Sequence, residues 1–118
     1  MNKLPSISEH QLQTLIMNYL TANGYYVQRM NSGAIRDSKG YMIRFGQAGT
    51  PDIMAFKPNK LNAAAADLIF IEVKTPRNPT PTLLQARKMD ELEEHGATCL
   101  VVHSLEELQE QLIIYPTV

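Results

Sequence analysis

The spacing of apolar residues along the chain predicts helices and strands that form one α/β domain. A first helix ends near Ala22, and its apolar positions follow helical spacing at Leu12, Ile16, Tyr19 and Leu20. Four short apolar runs then predict strands at residues 25–30, 41–45, 52–56 and 67–74. A second helix to about His95, a strand at residues 98–103 and a final helix complete the predicted order.

This order predicts a central mixed β-sheet flanked by helices, with the sequence α-β-β-β-α-β-α and three or four strands before the second helix. A chain of 118 residues with 44% apolar residues can bury one core, so we expect a single domain over residues 1–118. The one cysteine, Cys99, excludes a disulfide framework within the chain. The sequence has no signal-peptide pattern and no apolar stretch of membrane-spanning length, and we therefore expect a soluble, cytoplasmic protein.

Polar residues mark the predicted helix starts and turns. Ser6-Ile7-Ser8-Glu9 has the spacing of a capping box, with a serine at the N-cap and a glutamate three residues later. Thr80 followed by Pro81 predicts the N-cap and the first residue of the second helix. Residues 104–107 predict another capping box, and residues 31–33 predict a turn.

Two short motifs carry the candidate chemistry, Gly49-Thr50-Pro51-Asp52 and Glu72-Val73-Lys74. The stretch that ends at Lys74 is so apolar that we expect a central strand covered on both faces. Side chains alternate along a strand, so Glu72 and Lys74 share one face. If the run that begins at Asp52 pairs with this strand, two carboxylates and a lysine converge at one edge of the core.

Two converging carboxylates repel each other unless a cation lies between them. The expected occupant is a divalent metal that prefers oxygen ligands, Mg²⁺ before others. The neighbouring Lys74 suits a phosphate or a developing oxyanion. The alternative is that Asp52 is an ordinary turn residue and that Glu72 and Lys74 form a salt bridge, but the combination favours a site.

Two further polar residues lie on apolar helix faces. Glu9 is in register with Leu12 and Ile16, which either a third metal-binding acid or the capping box explains equally well. Gln85 shares a face with Met89, so it points inward and either satisfies a buried backbone group or reaches the site.

Taken together, these motifs resemble the PD-(D/E)XK nuclease superfamily, and within it the virus-type replication-repair nuclease domain, VRR-NUC. The resemblance rests on Glu9 on the first helix, Gly-x-Pro-Asp at 49–52, Glu-Val-Lys at 72–74, the inward Gln85, Asn31-Ser32-Gly33 and the segment 96–108. It covers nearly the whole chain and implies a restriction-endonuclease-like core.

The resemblance implies metal-dependent hydrolysis of phosphodiester bonds. Asp52 and Glu72 would bind Mg²⁺ or Mn²⁺, with the backbone carbonyl of Val73 as another ligand. Lys74 would orient or activate the attacking water and stabilise the charge of the transition state. Glu9 would correspond to the acid of the first helix, and Gln85 to a glutamine near the nucleophile.

The charge distribution indicates where DNA would bind. Residues 1–88 contain all eleven Lys and Arg with five acids, a net charge of +6, whereas residues 89–118 contain seven acids and no Lys or Arg. The candidates for DNA contacts are Asn31, Ser32, Arg36, Lys39, Arg44, Arg77, Arg87 and Lys88. For each basic residue taken singly, a solvated surface position is the more ordinary interpretation.

The resemblance also implies a substrate and an assembly. Stand-alone relatives are structure-selective endonucleases that act on branched DNA, such as four-way junctions or flaps, often as homodimers. We expect no small-molecule cofactor and no membrane partner. The alternative function is a catalytically weak DNA-binding subunit of a replication or repair complex.

Overall fold

The computed structural model describes residues 7–30 and 33–114, which form three helices and six strands. The helices are α1 (Glu9–Ala22), α2 (Leu83–Glu94) and α3 (Leu105–Ile114). The strands are β1 (Tyr26–Arg29), β2 (Gly33–Arg36), β3 (Met42–Phe45), β4 (Ile53–Pro58), β5 (Ala66–Val73) and β6 (Thr98–Val102). The α/β class is confirmed, but in the described chain five strands precede α2 instead of three or four. Within the same residues, no helix has the length and apolar character needed to cross a membrane.

Four strands form the central sheet, in the order β1-β4-β5-β6. β4 is antiparallel to β1 and β5, whereas β5 and β6 are parallel, so the predicted mixed sheet is confirmed. β5 lies inside this sheet, and its residues from Ile69 to Val73 are buried. Because Ile53 at the start of β4 pairs with Ile71 near the end of β5, Asp52 lies beside Glu72 where these two inner strands start and end.

The two faces of the sheet pack against different helices. Ile69, Ile71 and Val73 belong to a buried core that also contains residues of α1 and α3, namely Leu12, Ile16, Leu20 and Leu108. Side chains alternate along a strand, so Glu72 points to the opposite face. There Gln85 of α2 contacts it. α2 therefore covers the face that carries the candidate site.

Both capping predictions at the starts of α1 and α2 are wrong by two residues. The N-cap of α1 is Ser8, which forms a capping box with Gln11, and Glu9 is the first helical residue. Ser6 lies outside the described residues. The N-cap of α2 is Thr82 instead of Thr80, and its capping-box partner is Gln85. Serine or threonine occurs at both possible positions, and a glutamine three residues later closes the box that forms.

The capping box predicted at the start of α3 forms only in part. Oγ of Ser104 accepts a hydrogen bond from the backbone N–H of Glu107 at 3.0 Å. The carboxylate of Glu107 instead contacts Nδ1 of His103 at 3.0 Å. The other ring nitrogen of His103 lies 2.6 Å from the carbonyl of Pro79, so this imidazole joins α3 to the connector that precedes α2.

Residues 37–41 form the tip of a β-hairpin between β2 and β3. The sequence did not predict β2, which pairs with β3 in a separate two-stranded sheet. At the tip, Oδ1 of Asp37 accepts hydrogen bonds from the N–H groups of Lys39 and Tyr41, each at 2.9 Å. Among the described elements, neither strand contacts any helix or strand other than its partner, so the hairpin projects from the body of the molecule.

Candidate active site

Glu72 is buried at the end of β5 with 1% exposure, and its two carboxylate oxygens have different surroundings. Oε1 accepts a hydrogen bond from Nε2 of Gln85 at 2.9 Å and lies 3.7 Å from Nζ of Lys74. Oε2 is buried and has no hydrogen-bond partner in the described part of the chain. A buried acceptor without a partner is costly, so this oxygen is suited to receive a cation.

Lys74 is also buried, with 3% exposure, which places an ammonium group inside the protein directly after β5. Its backbone N–H donates to the carbonyl of Val102 at 2.9 Å, so β6 fixes the chain at this point. The side chain returns to the face that carries Glu72, as strand alternation predicts. The lysine is therefore held in place beside the carboxylate before any substrate binds.

Asp52 completes the group at the start of β4. Its Oδ2 accepts a hydrogen bond from the backbone N–H of Val73 at 2.8 Å, which ties the Pro-Asp motif to the Glu-Val-Lys motif. The structure thus brings together Asp52, Glu72 and Lys74 at the start of β4 and the end of β5. Their chemical roles, and the role of the Val73 carbonyl as a ligand, stay predictions.

The electrostatics of the site favour binding of a positive charge. Burial raises the pKa of Glu72 to about 8, and the nearby carboxylate of Asp52 contributes to the same shift, while Lys74 opposes it. Burial also raises the pKa of Asp52, although the hydrogen bond from Val73 lowers it. Both carboxylates are therefore hard to ionise together, and a cation between them would relieve their repulsion.

These donors fit a small divalent cation that keeps several water ligands. Mg²⁺ is commonly held by one or two carboxylates, with water and phosphate oxygens in the remaining positions. Asp52 and the open Oε2 of Glu72 supply two such carboxylates. Within residues 7–30 and 33–114, no three carboxylate, imidazole or thiol groups are close enough to hold a metal ion. Asp52 and Glu72 are the two acids that the structure places together.

Glu9 borders this pair without joining it. The capping-box interpretation of Glu9 is wrong, because Gln11 has that role. Glu9 is exposed in the first turn of α1, and its negative charge raises the pKa of both Asp52 and Glu72. It lines a cavity of about 450 Å³ together with Ile7, Ser8, Thr75, Pro76 and Arg77. Its role as a metal ligand stays a prediction.

Gly49 fixes the loop before Asp52 against α2. It has a φ of +83°, and a Cβ atom at this position would lie 2.8 Å from the carbonyl oxygen of Leu84. Only glycine fits this approach. Since Leu84 precedes Gln85, the loop and the glutamine are held by the same contact.

Arg29 is a site neighbour that the sequence analysis missed. It ends β1 opposite Ile53, and its positive charge lowers the pKa of Asp52. Among the described residues, its terminal nitrogens make long contacts, 3.5 Å to Nδ1 of His10 and 3.4 Å to Oγ1 of Thr14. The sequence feature that could have indicated Arg29 is its position as a basic residue at the end of β1, the strand that pairs with β4.

The basic residues proposed to contact DNA have different surroundings. Arg36, Lys39 and Arg44 lie on the projecting hairpin, where Nη1 of Arg36 donates to the carbonyl of Gly40 at 2.9 Å. Arg77 and Arg87 are exposed in the connector and in α2. Asn31 and Ser32 lie outside the described residues.

Lys88 is already engaged within the protein. Its Nζ lies 2.7 Å from Oε1 of Gln47 and 3.3 Å from Oε2 of Glu91, and its side chain is 17% exposed. These contacts join α2 to the loop before β4. Lys88 is therefore the least available of the proposed DNA contacts that the structure describes.

Comparison with solved structures identifies the fold. One similar structure, titled "VRR_NUC domain", has a TM-score of 0.63 and 23% sequence identity over 92% of this chain and 96% of that chain. Another, titled "VRR_NUC domain protein", has a TM-score of 0.61 and 17% identity over 96% of this chain and 91% of that one. No family model and no curated protein matches the sequence. The chain has the fold of VRR_NUC domains, and the resemblance inferred from its motifs is confirmed at the level of the fold.

Proposed function

We propose that this chain is a nuclease, a Mg²⁺- or Mn²⁺-dependent endodeoxyribonuclease that hydrolyses phosphodiester bonds. The observation that carries this proposal is the group formed by Asp52, Glu72 and Lys74, in which Oε2 of Glu72 is buried without a partner. The VRR_NUC fold supports this proposal, because the two similar structures match nearly the whole of this chain.

In this proposal Asp52, Glu72 and the carbonyl of Val73 hold the metal ion, and Glu9 adds negative charge nearby. When bound, the metal polarises the phosphate and makes a water molecule a better nucleophile. Lys74 is positioned to orient the attacking water and to stabilise negative charge that develops on the phosphate. Gln85 holds the carboxylate of Glu72 by donating a hydrogen bond from Nε2 to Oε1.

We propose branched DNA, a four-way junction or a flap, as the substrate, and a homodimer as the active assembly. A four-way junction has approximate two-fold symmetry and needs two cuts, which a symmetric dimer with one site per subunit would supply. Sedimentation velocity should then give about twice the monomer mass of 13.3 kDa. Only monomer, under conditions where junctions receive paired cuts, would argue against the dimer.

The test of the nuclease proposal compares the parent protein with Lys74→Ala on linear, flapped and four-way DNA. We expect cleavage with Mg²⁺ or Mn²⁺, and no cleavage in excess chelator. Lys74→Ala should slow cleavage by about 10²-fold or more, the usual effect of removing a group that stabilises transition-state charge. It should still bind the metal.

The matched control is Lys60→Ala. Lys60 is exposed in the loop after β4, at the end of that strand away from Asp52, so this variant should cleave at the parental rate. Undiminished cleavage in chelator would remove the metal from the proposal. Binding of branched DNA without any cleavage would instead support the catalytically weak DNA-binding subunit.

A further inference from the structure

The first turn of α2 is connected to the candidate site by a chain of hydrogen bonds. The backbone N–H of Thr82 donates to Oε1 of Gln85 at 2.8 Å, and Oγ1 of Thr82 accepts from the backbone N–H of Gln85 at 3.2 Å. Nε2 of the same glutamine then donates to Oε1 of Glu72 at 2.9 Å. One side-chain amide thus serves both as a helix cap and as a partner of the buried carboxylate.

The capping box determines which end of the amide faces Glu72. A glutamine amide has an oxygen that only accepts hydrogen bonds and a nitrogen that only donates them. The N–H of Thr82 requires an acceptor, so Oε1 must face the backbone and Nε2 must face the carboxylate. In the reverse orientation two donors would meet at the backbone N–H of Thr82, and the hydrogen bond that closes the capping box would be lost.

The position of Gln85 also leaves one oxygen of Glu72 open. Gln85 and Lys74 both approach Oε1, at 2.9 Å and 3.7 Å. Oε2 is then the buried oxygen without a partner in the described chain. The carboxylate is held by its occupied oxygen, and the other oxygen is presented for a cation.

We propose that Thr82 is a positioning residue of the candidate active site, acting through the amide of Gln85 on the carboxylate of Glu72. The part of this inference that concerns the metal rests on the proposed function, whereas the amide orientation does not. Thr82 touches neither substrate nor metal. Its hydroxyl holds the first turn of α2, and this turn places Nε2 of Gln85 against Oε1 of Glu72.

The experiment compares Thr82→Ala with Thr82→Ser, which keeps the capping hydroxyl. The matched control is Ser104→Ala, because Ser104 caps α3 in the same way, with its Oγ 3.0 Å from the N–H of Glu107. No residue of the candidate site lies on α3. Both substitutions remove a capping hydroxyl, and we expect only Thr82→Ala to disturb Gln85.

The first readout is the side-chain amide of Gln85 in NMR spectra of the metal-free protein. In the parent, in Thr82→Ser and in Ser104→Ala, we expect an amide proton protected from solvent exchange by its bond to Glu72. In Thr82→Ala this protection should be lost. An equally protected amide in Thr82→Ala, or equal loss in Ser104→Ala, would overturn the proposal.

The second readout is Mg²⁺ binding by calorimetry, which does not depend on cleavage. Thr82→Ala should weaken binding by about tenfold, the lower end of the usual effect of losing a group that orients a metal ligand. Thr82→Ser should restore it, and Ser104→Ala should leave it unchanged. Equal Mg²⁺ affinity in Thr82→Ala and the parent would overturn the positioning role. A parent that binds no Mg²⁺ would instead refute the proposed metal site, while the NMR result would still decide the orientation of the amide.

Discussion

At the scale of single residues, Glu72 shows how burial creates a functional candidate. Its carboxylate is removed from water, and only one of its oxygens has hydrogen-bond donors in the described structure. A carboxylate in this position lowers the stability of the folded protein whenever it is ionised, unless a cation accompanies it. Lys74 lies beside the occupied oxygen, and a metal ion at Oε2, as proposed, would offset the remaining cost.

The raised pKa of Glu72 predicts a dependence of the metal-free protein on pH. The pKa rises from 4.5 to about 8 on folding, so between these values the folded protein holds a proton that the unfolded chain releases. The free energy of unfolding should therefore fall as pH increases from about 4.5 to about 8, and then level off. Urea unfolding in chelator at several pH values would measure it.

Glu72→Gln provides the comparison, since the amide stays neutral throughout. Most of the decline should disappear in this variant, and a smaller part should persist because the pKa of Asp52 is also raised. If both proteins lost stability equally over this pH range, the carboxyl of Glu72 would not be the cause.

At the scale of secondary-structure elements, the contact between the loop before β4 and the start of α2 aligns the residues of the candidate site. Gly49 lies against the backbone of Leu84, and the adjacent Gln85 reaches Glu72. The loop and the helix come from segments on either side of β5. Their contact aligns Asp52 and Gln85 around the same carboxylate.

Gly49→Ala should therefore damage the site more than its own backbone strain explains. A non-glycine residue at this φ of +83° costs about 1–2 kcal/mol. In addition, the new methyl group would meet the Leu84 carbonyl at 2.8 Å and displace the start of α2. We expect a larger loss of stability and a reduced rate of DNA cleavage, measured by denaturant unfolding and nuclease assay.

Gly24→Ala is the matched control for this variant. Gly24 has a similar φ of +89°, but a Cβ atom there would have nothing within 4 Å. The free energy of unfolding of Gly24→Ala should fall by about 1–2 kcal/mol because of backbone strain, and its cleavage rate should stay at the parental value. Equal effects of the two substitutions would show that the contact with Leu84 is unimportant.

At the scale of the whole molecule, charge is divided along the chain and the hairpin is separate from the core. All eleven Lys and Arg precede residue 89, and the hairpin carries three of them. Its exposed apolar side chains, Ile35, Tyr41, Met42 and Ile43, do not serve the central core. In the proposed function, this basic projection would contact DNA, since none of its described side chains belongs to the central core.

Lys39→Ala should reduce the salt dependence of DNA binding. If Lys39 contacts one phosphate, the slope of log affinity against log salt should decrease by about one. Affinity should fall similarly for unrelated DNA sequences, because phosphate contacts carry no sequence information. The measurement uses a Lys74→Ala background and a four-way junction, so that binding is observed without cleavage.

Lys60→Ala in the same background is the control, because Lys60 is exposed in the loop after β4, outside the hairpin. Its slope should equal that of the parent. An unchanged slope in Lys39→Ala would exclude this side chain from the DNA surface.

The sequence by itself determined the order of the main elements, and it predicted that Asp52, Glu72 and Lys74 converge if the strands that carry them pair. Hydrophobic periodicity is a local property of the sequence, and one continuous apolar run identified β5 as an inner strand. The start of β4 and the end of β5 meet because neighbouring strands here are antiparallel. Asp52 therefore lies beside Glu72, as the two motifs predicted.

Only the tertiary structure decided the features that depend on a choice between equivalent local signals. Ser8 and Thr82 cap their helices although Ser6 and Thr80 carry the same kind of hydroxyl. β2 is four residues long and, among the described elements, contacts only β3. The apolar pattern of the sequence therefore did not predict it. The open oxygen of Glu72 follows from the hydrogen bond of Gln85, and a contact between distant segments cannot be read from the spacing within either one.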